Sequence, residues 1–459
     1  MPMAILVLLA FAGTARSEEV AADQPAVLSF TAPDSSLPLP PQSFTLAQSV
    51  DQALKGNPQI GSYYYRVQSA AAESGIAFGQ MLPSVTLSLG RSTINNIDSE
   101  GAVDTDYIDQ DNTTASLQIS QPLFAGKSLV NGYQKALLNE DFARAQKSGI
   151  ESQMILDVQS AFLDIIKYQS EVRSLRSAVQ RLQASVESVR AYEQVRLAPY
   201  VDLLRAEVEL ADAQQRLSKA EIQVLTGKIY LNALLGLPSE MPVEYLGDFN
   251  DLSFEVPWAL EQAHEVAMKQ RPDILVKSKT LAMAEKEAEI IYGRFLPRVD
   301  LQGSYYDLDR DYNNKNTVID RDYQTSYWTA GINLQWRVFE GGRTYYEHQR
   351  AIAQISSQRE ELRNITDQVS AQVTSSYLSL TEARQRISTA SKALGEATEG
   401  LERSQVRFEA RVATIVEVLE AQARLSRAES NHIQAQADFQ KALAQLLYAM
   451  GERNPSLRF

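Results

Sequence analysis

The two halves of this chain share one pattern, shifted by 214 residues at first (Leu82 to Leu296) and by 215 later (Val201 to Val416). Further equivalent pairs run through the whole length: Pro83 and Pro297, Phe124 and Phe339, Leu204 and Leu419, and Gly236 and Gly451. A shift that changes by one residue over this distance indicates that both halves have the same architecture. Repeats of about 20–50 residues build solenoids, so this much longer repeat predicts a duplicated, domain-sized unit.

The composition excludes several functional classes. The chain has 459 residues, no cysteine and a formal net charge of −13. Without cysteine there are no disulfides, thiolate metal sites or cysteine nucleophiles. The acidic balance argues against a nucleic-acid partner, because phosphate binding needs clustered Lys and Arg. No apolar run of about 18 residues occurs, so no membrane-spanning helix is predicted.

The first 43 residues have the character of a targeting segment. A short apolar stretch over residues 4–12 is followed by small residues, which predicts a signal peptide over residues 1–17. Residues 18–43 contain several prolines and are predicted to form an extended leader. A buried terminal strand is the alternative for the apolar stretch.

Each half is predicted to contain a helix, two strands, a very long helix and a further helix. The first structural repeat covers residues 44–240 and the second covers 257–451, with an inter-repeat linker over 241–256 and a C-terminal tail over 452–459. A proline interrupts the opening helix of each repeat, as Pro58 does in the first, because the residue before a proline avoids the helical conformation.

After each opening helix the apolar period changes to two residues, which is typical of strands with one apolar and one polar face. The alternating apolar residues are Val85, Leu87, Leu89, Ala115, Leu117, Ile119, Val299, Leu301, Tyr305, Trp328, Ala330, Ile332, Leu334 and Trp336. Polar segments over 95–112 and 307–322 join the strands of each pair. Aromatic residues lie near the predicted strand ends: Tyr305, Tyr306, Tyr323, Tyr327, Trp328 and Trp336. These features predict an outer-membrane barrel; a soluble four-stranded sheet packed on helices is the alternative.

Four strands do not close a barrel, because the smallest membrane barrels have about 8. An open sheet edge is not tolerated in lipid. The chain is therefore expected to oligomerise, and three copies would supply a barrel of about 12 strands.

The later part of each half predicts long coiled-coil helices. No proline occurs over residues 127–198 or 342–450. Apolar residues follow alternating spacings of three and four: Val172, Leu175, Val179, Leu182, Val186 and Val189 in one helix, Leu203, Ala206, Leu210, Ala213, Leu217, Ala220 and Val224 in the next, and Ile387, Ala390, Leu394, Ala397 and Leu401 in the second half. This period indicates coiled-coil packing. About 65 residues at roughly 1.5 Å each make a rod of ~100 Å.

Several motifs recur at equivalent positions in the two halves: the Leu-Pro pairs at 82–83 and 296–297, the strand-to-helix junctions at 121–126 and 336–342, and the hexapeptides at 201–206 and 416–421. Through them the chain resembles the TolC family of outer-membrane efflux and secretion channels over essentially its whole mature length. The resemblance implies an α+β fold, a TolC-like duplicated unit. In such a homotrimer a β-barrel with four strands per chain, about 12 in all, continues into a long periplasmic α-helical coiled-coil tunnel.

The resemblance also implies a function. The chain would be the passive exit duct of a tripartite export system, for type I protein secretion or multidrug efflux, with the motifs closer to those of type I channels. It would lie in the lipid bilayer of the bacterial outer membrane, with its helical tunnel in the periplasm. Its partners would be a periplasmic membrane-fusion adaptor and an inner-membrane ABC or RND transporter. A soluble periplasmic coiled-coil scaffold or adaptor is the alternative.

Catalysis is not predicted. The three histidines, His264, His348 and His432, are scattered along the chain and lack the neighbours of a nucleophile or metal site. The glycines at 341–342 open a helix without the lysine and hydroxyl of a phosphate loop. We therefore expect no enzyme activity, no cofactor and no metal.

The turns between the long helices are predicted to form the periplasmic tip that contacts the adaptor, through Arg196, Leu197, Ala198, Arg411, Val412 and Ala413. The family usually has glycine where the two arginines stand. Because a positive φ suits glycine and strains arginine, each turn is expected to start one residue away. The alternative role of the arginines is to cap helix C-termini, where a cation is favoured.

An acidic constriction is predicted just beyond the tip. Glu417 and Glu420 stand where the family carries two aspartates, and Asp202 fills the matching site of the first half. Three copies would bring six glutamates around a narrow passage, which would attract cations. The alternative is that these acids only offset the helix dipole.

The residues that would hold the mouth shut depart from the family pattern. Phe408 stands where a tyrosine would donate a hydrogen bond, and Ala413 stands where an arginine would. The closed mouth is therefore expected either to use other partners of the acidic residues, such as Arg196 or Arg411, or to be held less tightly.

Overall fold

The computed structural model describes residues 43–94, 109–249, 258–313, 323–454 and 457. The predicted signal peptide and all but the last residue of the predicted leader lie outside these ranges. So do much of the two segments predicted to join the strands and part of the inter-repeat linker.

The described residues form eight helices and six strands in an order that repeats. The first half contains β1 (Ser43–Phe44), α1 (Leu46–Gly56), α2 (Pro58–Gly79), β2 (Ser84–Ile94), β3 (Asp109–Ala125), α3 (Ser128–Gln194) and α4 (Tyr200–Leu234). Then follow β4 (Glu244–Tyr245), α5 (Leu260–Gln270), α6 (Pro272–Gly293), β5 (Arg298–Asn313), β6 (Tyr323–Gln335), α7 (Arg343–Glu409) and α8 (Ile415–Met450). The matching helices have nearly the same length: α1 and α5 have 11 residues, α2 and α6 have 22, and α3 and α7 have 67. The predicted α+β duplicated unit is confirmed.

The break in the opening helix of each repeat anchors that helix to the end of another. Asn57 begins α2 by accepting a hydrogen bond from the backbone N–H of Gln59 and donates to the carbonyl of Leu234 at 2.9 Å. The equivalent Arg271 is buried and donates to the carbonyl of Tyr448 at 2.8 Å. The same repeat position therefore joins the opening helices to the C-terminal end of α4 in the first repeat and of α8 in the second. The side chain is Asn57 in the first case and Arg271 in the second.

The four long strands form one antiparallel sheet in the order β2-β3-β5-β6. Its register places the alternating apolar residues on one face, as in the row Leu87, Leu117, Tyr305 and Trp328. On the opposite face, one neighbouring row has small hydroxyl and amide side chains, Thr86, Gln118, Ser304 and Thr329, and the other has Ser88, Ser116, Tyr306 and Tyr327. Most of the large apolar residues on the first face are exposed: Val85, Leu87, Leu89, Leu301, Tyr305, Trp328, Ile332 and Leu334. The predicted alternation is confirmed.

The strands are longer than predicted. β5 continues to Asn313 and β3 begins at Asp109, so residues 307–313 and 109–112, assigned to polar connections, are paired strand. An antiparallel pair is held by backbone hydrogen bonds, which do not depend on the side chains. Charged residues on both faces therefore do not terminate the strand pairing. As a result Tyr305 and Trp328 lie along the strands rather than near their ends, at the level where the apolar face meets the charged segment.

A short parallel pairing between β1 and β4 was not predicted. It joins the end of the predicted leader to the predicted inter-repeat linker, and it buries Phe44 against Tyr245 with ring centroids 6.4 Å apart. Two-residue strands carry no readable period in the sequence, so this contact could not be deduced from alternation.

The long helices pack around two main apolar cores, and Ala288, Ile291 and Ala351 form a further small cluster. The larger core centres on α3 and α8 and includes Val158, Phe162, Ile165, Phe439 and Leu443. The smaller core lies next to the turns that join α3 to α4 and α7 to α8. Residues that follow the predicted coiled-coil spacing are buried there, among them Leu182, Val186, Val189, Leu203 and Ala206.

Among the described residues, the helices contain no apolar stretch long enough to cross a lipid bilayer.

Candidate functional site: the paired helical turns

The turn joining α3 to α4 and the turn joining α7 to α8 lie side by side. The ring of Tyr192 near the end of α3 meets the ring of Phe408 near the end of α7 edge to face, with centroids 5.8 Å apart. Beneath the turns, the smaller core joins the four helix ends through Val189, Leu203, Ile415, Val418 and Leu419 among others. The predicted tip is therefore one packed unit made from both repeats.

Both turns close in the same way, and here the sequence-based expectation was wrong. Arg196 has φ +60° and Arg411 has φ +62°, so each arginine itself occupies the left-handed position instead of being displaced by one residue. The N–H of Arg196 donates to the carbonyl of Glu193 and the N–H of Leu197 donates to that of Tyr192, both at 2.8 Å. The second turn repeats these two bonds. This pair of bonds is the Schellman helix ending.

The opposite ends of α4 and α8 show why arginine is tolerated at the tip. The same helix ending occurs there with Gly236 and Gly451, which have φ +70° and +76°. A Cβ at Gly236 would lie 2.3 Å from the carbonyl oxygen of Gly56. Arg196 and Arg411 are exposed, so their left-handed backbone carries only its intrinsic cost of roughly 1–2 kcal/mol.

The side chains of the tip present an apolar and cationic surface. Leu197 and Val412 are well exposed, whereas Ala198 and Ala413 are partly buried against the structure beneath. Within the described part of the chain, the side chains of Arg196 and Arg411 make no ion pair or hydrogen bond. The expected pairing of these arginines with the acidic residues is therefore not seen in the single chain.

Each predicted acidic residue has a different arginine partner. Glu417 meets Arg407 of α7 at 3.3 Å, across the turn. Glu420 meets Arg424 at 3.6 Å, one helical turn further along α8.

In the first repeat, Asp202 meets Arg205 at 3.3 Å. No hydrogen bond or ion pair among the described residues joins Asp202 to Glu417 or Glu420. The single chain therefore brings the three acids to neighbouring helix starts without linking them.

Two of these arginine partners could have been found in the sequence, because Asp202 and Arg205, and Glu420 and Arg424, stand three and four residues apart, as neighbours on a helix do. The pair across the turn had no such signal. The arginine partners in all three pairs are more than half exposed, so each pair contributes at most about 1 kcal/mol. The side chain of Glu420 is the most exposed of the three acids, at 62%, and that of Asp202 is the least exposed, at 17%.

The histidines do not assemble into a site. Nε2 of His264 lies 3.1 Å from the hydroxyl of Thr374, and His348 packs against two aromatic rings. His432 is half-buried on α8, and this burial lowers the pKa of its imidazole. Among the described residues no group of His, Asp and Glu is arranged to hold a metal ion.

A sheet with one apolar and one polar face, continuous with two hairpins built on 67-residue helices, defines an outer-membrane channel subunit of the efflux and secretion class. The family model of outer membrane efflux proteins matches residues 49–237 and 264–452. The chain belongs to this family.

Individual relatives and one solved structure are similar over most of their length. The chain is 24% identical to Protein CyaE of Bordetella pertussis over 97% of this chain and 93% of that protein. It is 21% identical to the pyoverdine export outer membrane protein OpmQ of Pseudomonas aeruginosa, over 88% and 84%. The crystal structure of the outer membrane protein VceC of Vibrio cholerae has the same fold, with a TM-score of 0.74, 15% identity, and coverage of 89% and 96%.

Proposed function

We propose that three copies of the chain assemble into the exit duct of a tripartite export system in the outer membrane. The three sheets close into one barrel, and the α3/α4 and α7/α8 hairpins continue as a tunnel in the periplasm. The duct is passive and performs no catalysis. A periplasmic membrane-fusion adaptor and an inner-membrane ABC or RND transporter supply the cargo and the energy.

The observation that supports this proposal most strongly is the four-stranded sheet. β2 and β6 form its edges, and neither edge is paired by another strand among the described residues. Lipid does not tolerate such edges, and joining β6 of one copy to β2 of the next removes them. From Trp328 to Trp336 the apolar alternation extends roughly 26 Å along the strand, or about 20 Å in height with the tilt of a barrel. That height is comparable with the apolar band of membrane barrels.

The sequence divides accordingly. Residues 1–17 direct export and are removed, residues 18–43 form the leader, and residues 44–240 and 257–451 supply equivalent sectors of the ring. The linker 241–256 connects the two sectors.

The acidic residues at the helix starts serve as the constriction of the duct. Glu417, Glu420 and Asp202 lie within two turns of the α8 or α4 start, and their arginine partners hold them weakly. Around a threefold axis they form a focused negative field that favours cations. The tip surface, formed by Arg196, Leu197, Ala198, Arg411, Val412 and Ala413, is free in the chain to meet the adaptor.

The assembly is tested by membrane fractionation followed by mass measurement of the detergent-solubilised particle. The proposal expects the chain in the outer-membrane fraction, in particles of three chains. Recovery from the aqueous periplasmic fraction as a single chain would contradict the proposal and favour a soluble coiled-coil scaffold.

A further inference from the structure

The polar face of the sheet has a pair of stacked aromatic rings. Tyr306 of β5 and Tyr327 of β6 are direct partners in the strand register. Their rings stack with centroids 5.2 Å apart and an angle of 22° between the planes. Tyr306 is partly buried, whereas Tyr327 is 47% exposed. The pair therefore presents aromatic surface on a face whose other side chains are mostly small and polar.

This face would line the lumen of the proposed duct. The other face has the apolar band, with Tyr305 and Trp328 as direct partners in the neighbouring row, and the apolar band of a membrane barrel lies against lipid. Successive residues of a strand point to opposite faces. Tyr306 and Tyr327 therefore point inward when Tyr305 and Trp328 point outward, and three copies would place three ring pairs at one level of the lumen.

The duplication shows that the sheet does not need rings at this position. The residues of the first repeat that are equivalent to Tyr306 and Tyr327 are Ser92 and Asn112, by the shifts of 214 and 215 residues. Ser92 and Asn112 are direct partners in the register, as the two tyrosines are. The same strand pairing thus forms with two small polar side chains, and the tyrosines of the second repeat are available for another role.

An open strip lies beside the ring pair. The row of Tyr306 continues through Ser116 of β3 to Ser88 of β2. The positions on either side of these two serines have no large apolar side chain: Thr86, Gly90, Thr114 and Gln118. Two strand spacings give the strip a width of about 10 Å. Since ring centroids in aromatic pairs are about 4.5–7 Å apart, a further planar ring has room beside Tyr306.

One positive charge per copy lies on the same face, about 13 Å further along β5, at Arg310. In the rows from Gln302 to Arg310 no other residue of this face is charged. The side chain of Arg310 makes no ion pair with another described residue. The acids of this segment stand at the alternate positions and belong to the other face: Asp307, Asp309 and Asp311. Three copies would therefore give this end of the lumen a positive field, which the walls of a channel focus.

We propose that the Tyr306–Tyr327 pair is a binding site in the lumen of the barrel for planar aromatic groups that have a negative charge. The bound ring stacks on Tyr306 above Ser116, and the arginines at position 310 attract the anion. The assignment rests on the exit duct proposed above, because only closure of the sheets into a barrel makes this face a lumen.

A site of this kind suits a passive duct. Conduction requires binding that is favourable enough for entry and weak enough for release. The strip beside Tyr306 is open along its length, so a stacked ring is covered on one side only. Three equivalent sites at one level would let a cargo molecule move between them as it leaves the barrel.

Block of the ionic current by naphthoate tests the site. Purified particles in planar bilayers are exposed to naphthoate, or to its fully saturated counterpart, which has the same charge and a similar size but no aromatic ring. We expect half-maximal block by naphthoate at a several-fold lower concentration than by the saturated acid. Equal block by the two acids would overturn the stacking site.

The first repeat supplies the matched variant. Tyr306→Ser with Tyr327→Asn copies Ser92 and Asn112, and it should remove the preference for naphthoate over the saturated acid. Tyr306→Phe with Tyr327→Phe keeps both rings and should retain the preference. If the first variant does not assemble, Tyr306→Leu with Tyr327→Leu keeps bulky side chains without rings and should also lose the preference. A preference that survives without the rings would overturn the assignment.

The charge is tested separately. Arg310→Gln should weaken block by both acids to a similar extent and leave the preference for the aromatic ring in place. Unchanged block in this variant would overturn the role of Arg310. Stronger block of the native channel by naphthylmethylammonium than by naphthoate would assign the rings to aromatic cations, which also bind to ring faces, and would overturn the preference for anions.

The outcomes also separate this site from the exit duct. A conducting particle of three chains that shows no preference for aromatic probes overturns the site and leaves the duct standing. A chain that forms no channel contradicts the duct and, with it, any site in a lumen.

Discussion

α3 and α7 have the same length and equivalent positions in the repeat, yet they are buried to very different extents. Each has 67 residues, but 20 residues of α3 are buried against 8 of α7. In the stretch that precedes the tip, Ala178, Leu182, Val186 and Val189 are buried in α3. In α7 only Leu401 of the equivalent coiled-coil series is fully buried.

The difference follows from what each helix packs against. α3 packs against α8 of its own chain in both apolar cores and through the hydrogen bonds of Ser174, Arg181 and Ser185. The equivalent partner of α7 would be α4, but no hydrogen bond or ion pair joins these two helices in the described part of the chain. In the proposed ring of three copies, the helices of the first repeat are covered within the chain. Those of the second repeat would be covered by a neighbouring copy.

The largest effect is expected where the two repeats cross. Gly293→Ala places a Cβ 2.4 Å from a backbone oxygen and should destabilise the folded chain by about 3 kcal/mol, as overpacking does. Gly79→Ala, the equivalent change in open space, should leave the chain folded but prevent assembly. Protease resistance and particle mass distinguish the two. Normal trimers from Gly79→Ala would contradict the comparison.

The next effect concerns the acidic helix starts. Glu417→Ala with Glu420→Ala removes two of the three acids per copy and should reduce cation selectivity several-fold in planar bilayers, with weaker block by multivalent cations. Asp202→Ala, in the first repeat, should have a smaller effect because one carboxylate per copy is lost. Unchanged selectivity in the double variant would place the filter elsewhere in the duct.

The tip arginines separate stability from function. Arg196→Gly with Arg411→Gly relieves two left-handed backbones, but glycine also gains entropy in the unfolded chain. We expect stability between unchanged and about 1 kcal/mol higher per site. Export should nevertheless fall, because two cations of the adaptor-contact surface are lost. Normal export by a correctly assembled double variant would count against a role of the arginines in docking.

The smallest effect distinguishes α8 from α4 by pH. Burial lowers the pKa of His432, and its Nδ1 has no hydrogen-bond partner among the described residues. The neutral imidazole is therefore favoured in the folded chain. The stability that it contributes to the chain is present above the unfolded pKa of about 6.5 and is lost as the pH falls below that value. His432→Leu, which copies Leu217 of α4, should reduce the drop in melting temperature between about pH 7.5 and about pH 5.5. An unchanged drop would assign the acid sensitivity to other groups.

Long, periodic elements could be predicted from the sequence. The 67-residue helices and the alternating strands were predicted because the apolar period of each persists over many residues, and duplication provided each pattern twice. The extension of β5 to Asn313 was missed because charged residues on both faces hide the alternation, although backbone pairing continues. The β1–β4 pairing was missed because two residues show no period.

The candidate site was less predictable than the fold. The expectation that the turns avoid Arg196 and Arg411 was wrong, since the strain of a left-handed arginine is small where no neighbour crowds it. The partner of Glu417 is Arg407 across the turn, a contact that depends on packing rather than on spacing. The constriction and the adaptor surface remain predictions.

Hydrogen exchange measured on the assembled particle and on the dissociated chain tests most directly whether the second repeat is completed by a neighbouring copy. Exchange in residues 386–400 of α7 and in the exposed stretch of α4 should slow markedly on assembly. The equivalent residues 171–185 of α3 are already covered by α8 and should exchange at a similar rate in both states. Equal slowing of α3 and α7, or no slowing of α7 in a particle of three chains, would contradict the account.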